Sequence, residues 1–362
     1  MTPAGQRIAE TIASQGPISI AQFMTQALLD PACGYYATRA PIGAGGDFIT
    51  APEISQMFGE LAGLWLAQAW HDQGRPARPL LVELGPGRGT LMADALRATK
   101  LMPAFRAGLE VLLVEASPVL RQLQQETLKD CGVPVRWAES FAAPERPLFL
   151  LANEFFDALP IRQYVKSARG WCERMVTRDG DGALAFALSP VPIPAHNLPP
   201  NRDGAPPGGV YETSPAGEAL AQEIGHAVAA WGGAALIVDY GYETPGFGET
   251  LQAVEGHRFA DVLTAPGASD LSAHVDFRAL GDAALRGGAA VCGPVGQGAF
   301  LLALGLAERA WRLAQRLHGG ADLVLQEELR IAVERLTAPE QMGTLFKALA
   351  LVPKTAPTPP GF

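Results

Sequence analysis

Cysteine, charge and long apolar runs are all scarce in this chain. The four cysteines (Cys33, Cys131, Cys172 and Cys292) are scattered, with no CxxC or CxxH spacing. That argues against a disulfide framework and against a zinc site. No segment offers the roughly 18 uninterrupted apolar residues of a membrane-spanning helix. Charged residues make up only 18% of the chain and sum to −9, with a pI near 5.2. No Lys/Arg cluster interrupts that acidity, so nucleic acid is not an expected partner, whereas a basic partner or substrate suits the field. The N-terminus, "MTPAGQRIAETIASQGPISI", carries Glu10 and no apolar run. It resembles neither a signal peptide nor a basic transit peptide, and a cytoplasmic protein is the expectation. No Ser/His/Asp triad and no G-x-S-x-G elbow is readable.

What is present is a core. The chain has 362 residues, of which 48% are hydrophobic. That predicts a packed core, as one domain with sizeable additions or as two domains. Apolar spacing predicts helices over 6–15, 18–29 and 53–72. Between them lies "DPACGYYATRAPIGAGGDFITAPEIS", which reads as a functional cover because aromatic residues sit among its turn residues. Strand and helix then alternate: strand 79–85, helix 89–99, strand 109–117, helix 118–130, a short strand at "VPVRWAES" and another at "PLFLLAN". Near-continuous apolar strands in such an order predict a doubly wound parallel α/β sheet. Residues 161–188 read as antiparallel hairpins with turns at Arg169-Gly170 and Asp179–Gly182. A Pro/Gly-rich loop (190–209), a helix (214–231) and the strand "GAALIVDYG" follow. Segments 248–255, 289–295 and 298–304 are further strand candidates. The tail over 306–350 reads as mainly helical, and "KTAPTPPGF" as frayed. The implied division is a helical cover (1–72), a cofactor-binding half of the core (73–160), inserted hairpins and a Pro-rich loop (161–230), the second half of the core (231–305), and C-terminal helices with the tail (306–362).

The first strand runs into "VELGPGRGTL" (Val82–Leu91), with glycines at 85, 87 and 89. A dinucleotide fingerprint needs glycine at position 90, where Thr90 stands. Such a loop can wrap a ligand that needs close backbone approach but carries no phosphate. Taken alone, it is also compatible with an ordinary tight turn. Glu83 lies inside the strand. Glu115 ends the second strand, where a carboxylate can accept hydrogen bonds from ribose hydroxyls. The alternative for Glu115 is a charge favouring the helix that opens at Ser117-Pro118. Glu139 follows the third strand, within reach of an adenine amine.

This combination resembles the class I S-adenosylmethionine-dependent methyltransferases. More narrowly, "GDFITAPEISQMFGE", "VELGPGRGTLMAD", "NEFFDALPIRQY", "VDYGY", "DLSAHVDF" and "MGTLFKAL" resemble the blocks of the MidA-like family, spread over residues 46–349. Ser272 and Glu255 depart from the family pattern, where Thr and a basic residue are expected. The resemblance implies a seven-stranded methyltransferase sheet whose antiparallel edge hairpin would be 289–295 with 298–304. It also implies protein-arginine methylation linked to respiratory complex I assembly, with S-adenosylmethionine as cofactor. The implied cofactor set is Thr50, Glu83, Gly85, Gly87, Arg88, Gly89, Glu115, Ala116, Ser117, Glu139 and Asn153. A homodimer is one assembly that this reading leaves open.

"NEFFDALP" (Asn153–Pro160) ends the fourth strand on acids beside aromatics. A guanidinium stays protonated at neutral pH, and a carboxylate pair can grip it fork to fork. Glu154 stands where other arginine methyltransferases carry their glutamate. Asp157 is either a second acid, if the loop turns back, or a turn former. Glu154 is otherwise a structural ion-pair partner. Asp239 ends the fifth strand and can face the substrate. His257 and His274 join the cleft on the strength of the resemblance. His274-x-Asp276 is too short a pairing for a metal site, and no third ligand is evident. Two rivals stay open: an NAD-linked oxidoreductase, and an assembly chaperone that keeps the pocket without catalysis.

Overall fold

Five apolar runs form the parallel part of a central sheet: β1 (Leu80–Leu84), β2 (Glu110–Val114), β3 (Val135–Ala138), β4 (Leu148–Asn153) and β5 (Gly233–Tyr242). The structure is a computed structural model that describes residues 1–38, 50–199, 201–315 and 322–362. Two further strands, β6 (Ala290–Gly296) and β7 (Phe346–Val352), complete the order β3-β2-β1-β4-β5-β7-β6. β7 runs antiparallel to both of its neighbours, β5 and β6. A two-residue strand, Val275–Asp276, pairs parallel with the end of β5. The seven-stranded doubly wound sheet expected from the sequence is present.

Side-chain alternation divides each strand between two cores. Leu80, Val82 and Leu84 pack with Leu148, Leu150, Ile224, Val228 and Phe277 on one face. Leu81 and Phe149 pack on the other with Trp65, Met92, Leu96 and Phe105. Glu83 falls on the same side as Leu81, an acid at a core-facing position.

The N-terminal helices α1 (Pro3–Gln15) and α2 (Ile20–Leu29) start at Thr2 and Ser19, both of which cap with their side chains; Ser19 and Gln22 form a capping box. Two of the four residues between these helices, Ile18 and Ser19, pair with the hairpin strand Gly170–Arg178. The cover and the hairpins therefore share a sheet, and a core containing Ile8, Phe23, Met24, Tyr35, Ile161 and Val176. The helix expected over 53–72 is two helices, α3 (Ala51–Ile54) and α4 (Gln56–Asp72). Ser55 is extended between them and caps α4 through the Met57 N–H, which breaks the run. Part of the proposed cover loop, residues 39–49, lies outside the described residues. Helix α5 (Thr90–Ala98) follows the glycine loop, and α6 (Pro118–Leu128) follows β2. Among the described residues, no helix is long and apolar enough to cross a membrane.

Three expectations for the C-terminal third are corrected. Residues 297–303 form a helix. The edge partner of β6 is β7, which lies in the tail expected to be helical. Both segments are short apolar runs, and their periodicity does not separate strand from helix. The frayed end is not frayed: the Trp65 indole donates to the Pro360 carbonyl at 3.0 Å. Phe362 packs 5.2 Å from Phe300 and 6.1 Å from Trp65, centroid to centroid. Phe362→Ala is expected to lower unfolding free energy by about 1–2 kcal/mol in urea titrations. An unchanged midpoint would contradict a docked tail.

Candidate active site

The strand order reverses between β1 and β4, so the loops at their carboxyl ends diverge and leave a crevice. Leu84 pairs with Ala152 across this point, which puts the glycine loop beside Asn153 and Glu154. The cleft between them measures about 370 Å³ and is lined by Thr50, Glu83, Gly85, Gly87, Arg88, Asn153 and Glu154, together with Pro52, Glu53, Pro86, Thr90 and Leu91. Gly85, Gly87 and Gly89 all have positive φ, at +60°, +54° and +84°. A side chain at Gly85 would also meet the Phe155 ring at 2.7 Å.

Asp239 organises the β4 end. Its Oδ2 accepts N–H bonds from Phe155, Phe156 and Asp157 at 3.1, 2.9 and 3.2 Å, and its Oδ1 accepts from Tyr240 at 2.9 Å. Asp239 is fully buried. The expectation that it faces the substrate is corrected: the side chain is turned inward as the acceptor at the centre of a nest of backbone N–H groups. The nest needs a sharp turn out of the strand, and Glu154 supplies it at a φ of +50°.

Glu154 reaches into the cleft. Its Oε1 accepts from the Ala51 N–H at 3.1 Å and from the Asn153 amide at 3.2 Å. Ala51 opens α3, so Glu154 ties the cover to the strand end. A second tie is the Thr90 hydroxyl, which donates to Glu53 at 2.6 Å. The residue that replaces a third glycine therefore anchors the cover. Asp157 does turn back: it is buried and accepts from the Tyr240 hydroxyl at 2.6 Å. Burial pushes its carboxyl up to about 6. Glu154 is pushed up to about 7, first by burial and then by Asp157. Asp239 is raised by burial and then by both neighbouring acids. Burial makes all three carboxyls harder to ionise, and repulsion adds to this at Glu154 and Asp239, so the cluster favours an arriving cation.

Glu115 accepts from the Ser117 N–H at 2.7 Å and from the Gln124 amide at 3.1 Å. Ser117 also caps α6, while Ala116 is exposed. Glu139 is not brought to the cleft: its side chain is 81% exposed and lies 3.7 Å from Arg121. His257 sits exposed in the tight turn between Gln252–Glu255 and Arg258–Ala260, away from the cleft lining. His274 lines a separate cavity with Phe156, Tyr211, Glu212 and Asp276, and its ring contacts Tyr240 at 5.4 Å. Asp276 caps the helix Phe277–Gly287. Gln124 was missed in the sequence because it belongs to no motif, and Tyr240, although inside the "VDYGY" block, was given no role there; each meets its partner only through the fold.

Two buried acceptors at the cleft are orphaned. Neither Glu83 Oε2 nor Asn153 Oδ1 has a hydrogen-bond partner among the described residues. Burial, and then the charge of Glu115, push Glu83 up to about 8. A ligand carrying N–H donors and positive charge fits this lining, as the amino-acid end of S-adenosylmethionine does.

Reversed sheet order, antiparallel β7 and a non-phosphate glycine loop define a class I methyltransferase. A family of S-adenosyl-L-methionine-dependent methyltransferases matches residues 61–295. The mitochondrial protein arginine methyltransferase NDUFAF7 of Bos taurus is 37% identical, over 98% of this chain and 84% of that protein. The Homo sapiens protein of the same name is 35% identical over the same shares. The crystal structure of a Burkholderia thailandensis protein bound to S-adenosyl-homocysteine matches with a TM-score of 0.87 at 31% identity, covering 99% of this chain and 93% of that one. The chain belongs to the MidA-like family of S-adenosylmethionine-dependent methyltransferases, and S-adenosylmethionine is its cofactor. The cytoplasmic expectation is corrected, since these curated relatives are named as mitochondrial proteins.

The orphaned Glu83 gives a pH test. It holds its proton up to about pH 8 when folded but releases it near the ordinary 4.5 when unfolded. The unfolded state sheds the proton first, so stability falls as pH rises through that window. Glu83→Gln is expected to exceed the parent by about 2–4 kcal/mol at pH 8 and to equal it at pH 4, in cofactor-free urea titrations. Equal stability at both pH values would mean the carboxyl is already ionised at neutral pH.

Proposed function

We propose that the protein methylates an arginine side chain of a protein substrate, and that this substrate is a complex I subunit during assembly. The observation that carries the reading is Glu154, a carboxyl held at the β4 end inside the cofactor cleft with Asp157 and Asp239 behind it. The names of the curated relatives support the same chemistry. The complex I assignment rests on the family resemblance.

Bound S-adenosylmethionine supplies an electrophilic methyl on its sulfonium. Glu154 accepts hydrogen bonds from a guanidinium and draws its positive charge toward the nitrogens it holds, leaving another nitrogen free to attack. With S-adenosylmethionine bound, that nitrogen would take the methyl, the N–C bond forming as the S–C bond breaks and leaves its electron pair on sulfur. The proton lost from nitrogen passes to a carboxylate of the cluster and on to solvent. The raised carboxyls fit this role, because the arriving cation restores their ionised form. Glu83, Asn153 and the glycine loop would hold the cofactor's amino-acid end, and Glu115 its ribose. Thr50 and Glu53 close the cleft from the cover side.

Glu154→Gln is expected to lower methyl transfer to complex I subunits by about 10²–10³-fold. S-adenosylhomocysteine affinity should stay within about threefold. For the parent, kcat/KM should rise with pH and level off above about 7, where Glu154 ionises. The rise should be absent in the variant. Full methylation by Glu154→Gln would remove this residue from the reaction. An unchanged set of arginine marks on complex I in cells lacking the protein would remove the substrate.

A further inference from the structure

Gln124 belongs to α6 and to no motif, yet its side chain joins three parts of the cofactor site. It is fully buried. Its amide nitrogen donates to the Gly87 carbonyl at 2.8 Å and to Glu115 Oε2 at 3.1 Å. Its amide oxygen accepts from the Trp137 indole on β3 at 2.9 Å. One turn along the same helix face, Thr127 donates to the Arg88 carbonyl at 2.9 Å. Two successive carbonyls of the glycine loop are thus held by two side chains of α6.

We infer that Gln124 is the positioning residue that aims Glu115 at the cofactor's ribose, with Trp137 setting the direction of its amide. This rests on the reading of Glu115 as the ribose acceptor. An indole N–H can only donate, so it takes the oxygen end of the amide and leaves the nitrogen end for two acceptors. Both amide hydrogens are then used, one on the loop and one on Glu115. With the Ser117 N–H on its other oxygen, Glu115 is fixed by both of its oxygens. An amide turned the other way would set its oxygen against the Glu115 carboxylate. Trp137 precedes the Ala138 carbonyl that accepts the Glu115 N–H, so strand pairing and side-chain contacts lock the same residue.

The test is calorimetric binding of S-adenosylhomocysteine and of its 2′,3′-dideoxyribose analogue. The parent should discriminate between them by about tenfold or more, because buried acceptors built for hydroxyls are left unpaired by the analogue. Gln124→Met should weaken S-adenosylhomocysteine about tenfold and bind the analogue nearly as the parent does, so that discrimination collapses. Trp137→Phe keeps the glutamine but frees the amide to turn, and should lose discrimination in the same direction. It also serves as the readout if Gln124→Met fails to fold. Equal weakening of both ligands in these variants would show a general role in the fold and overturn the inference. Glu115→Ala separates the two levels. If it keeps full discrimination, the ribose reading itself fails. If it alone loses discrimination while Gln124→Met and Trp137→Phe keep it, the positioning role fails and the ribose reading stands.

Discussion

One carboxylate holds the active end of this sheet together. Asp239 leaves β5 and takes the N–H groups of residues 155–157 on a single oxygen. Each bond contributes about 1 kcal/mol net, and a buried N–H left without a partner would cost roughly 1–3 kcal/mol. The loop after β4 therefore has one favourable path. That path requires Glu154 to turn with positive φ, an uncommon conformation for a residue with a side chain. The turn delivers Glu154 to the cleft, Asp157 to Tyr240, and the Phe155 ring to the glycine loop.

The same convergence stores electrostatic tension. Glu154, Asp157 and Asp239 crowd together with little water, and each carboxyl is held above its ordinary range. A site built to bind a cation has this character before the cation arrives. The cover is coupled to it through the Ala51 N–H on Glu154 and the Thr90 hydroxyl on Glu53. A cationic side chain entering at Glu154 thus meets the group that also holds the cover.

Much of this architecture was legible in the residues. Apolar runs alternating with 3.6-spaced segments gave the parallel strands, because burial on both faces leaves a continuous apolar signature. The glycines at 85, 87 and 89 marked the loop because the turn needs positive φ. The edge of the sheet was not legible. Helix 297–303 and strand β7 have similar composition and length, and only pairing with β5 and β6 decided between them. The docked tail was hidden for a related reason: Phe362 reads as a frayed end until Trp65 and Phe300 are known to be near it. Glu139 was placed by position in chain order and His257 by family resemblance, and neither carries information about where a side chain points.

The sequence by itself determined the sheet class, the glycine loop and the acids at the strand ends, because these depend on local backbone needs and on burial periodicity. The tertiary structure alone decided where each acid points. Asp239 and Glu154 are 85 positions apart in numbering, one near the end of an apolar strand and the other just after one. Strand register turned one inward onto three amides and the other outward into the cleft. Gln124, Trp137 and Glu115 met in the same way, through a helix and two strands whose side chains have no relation until the sheet forms.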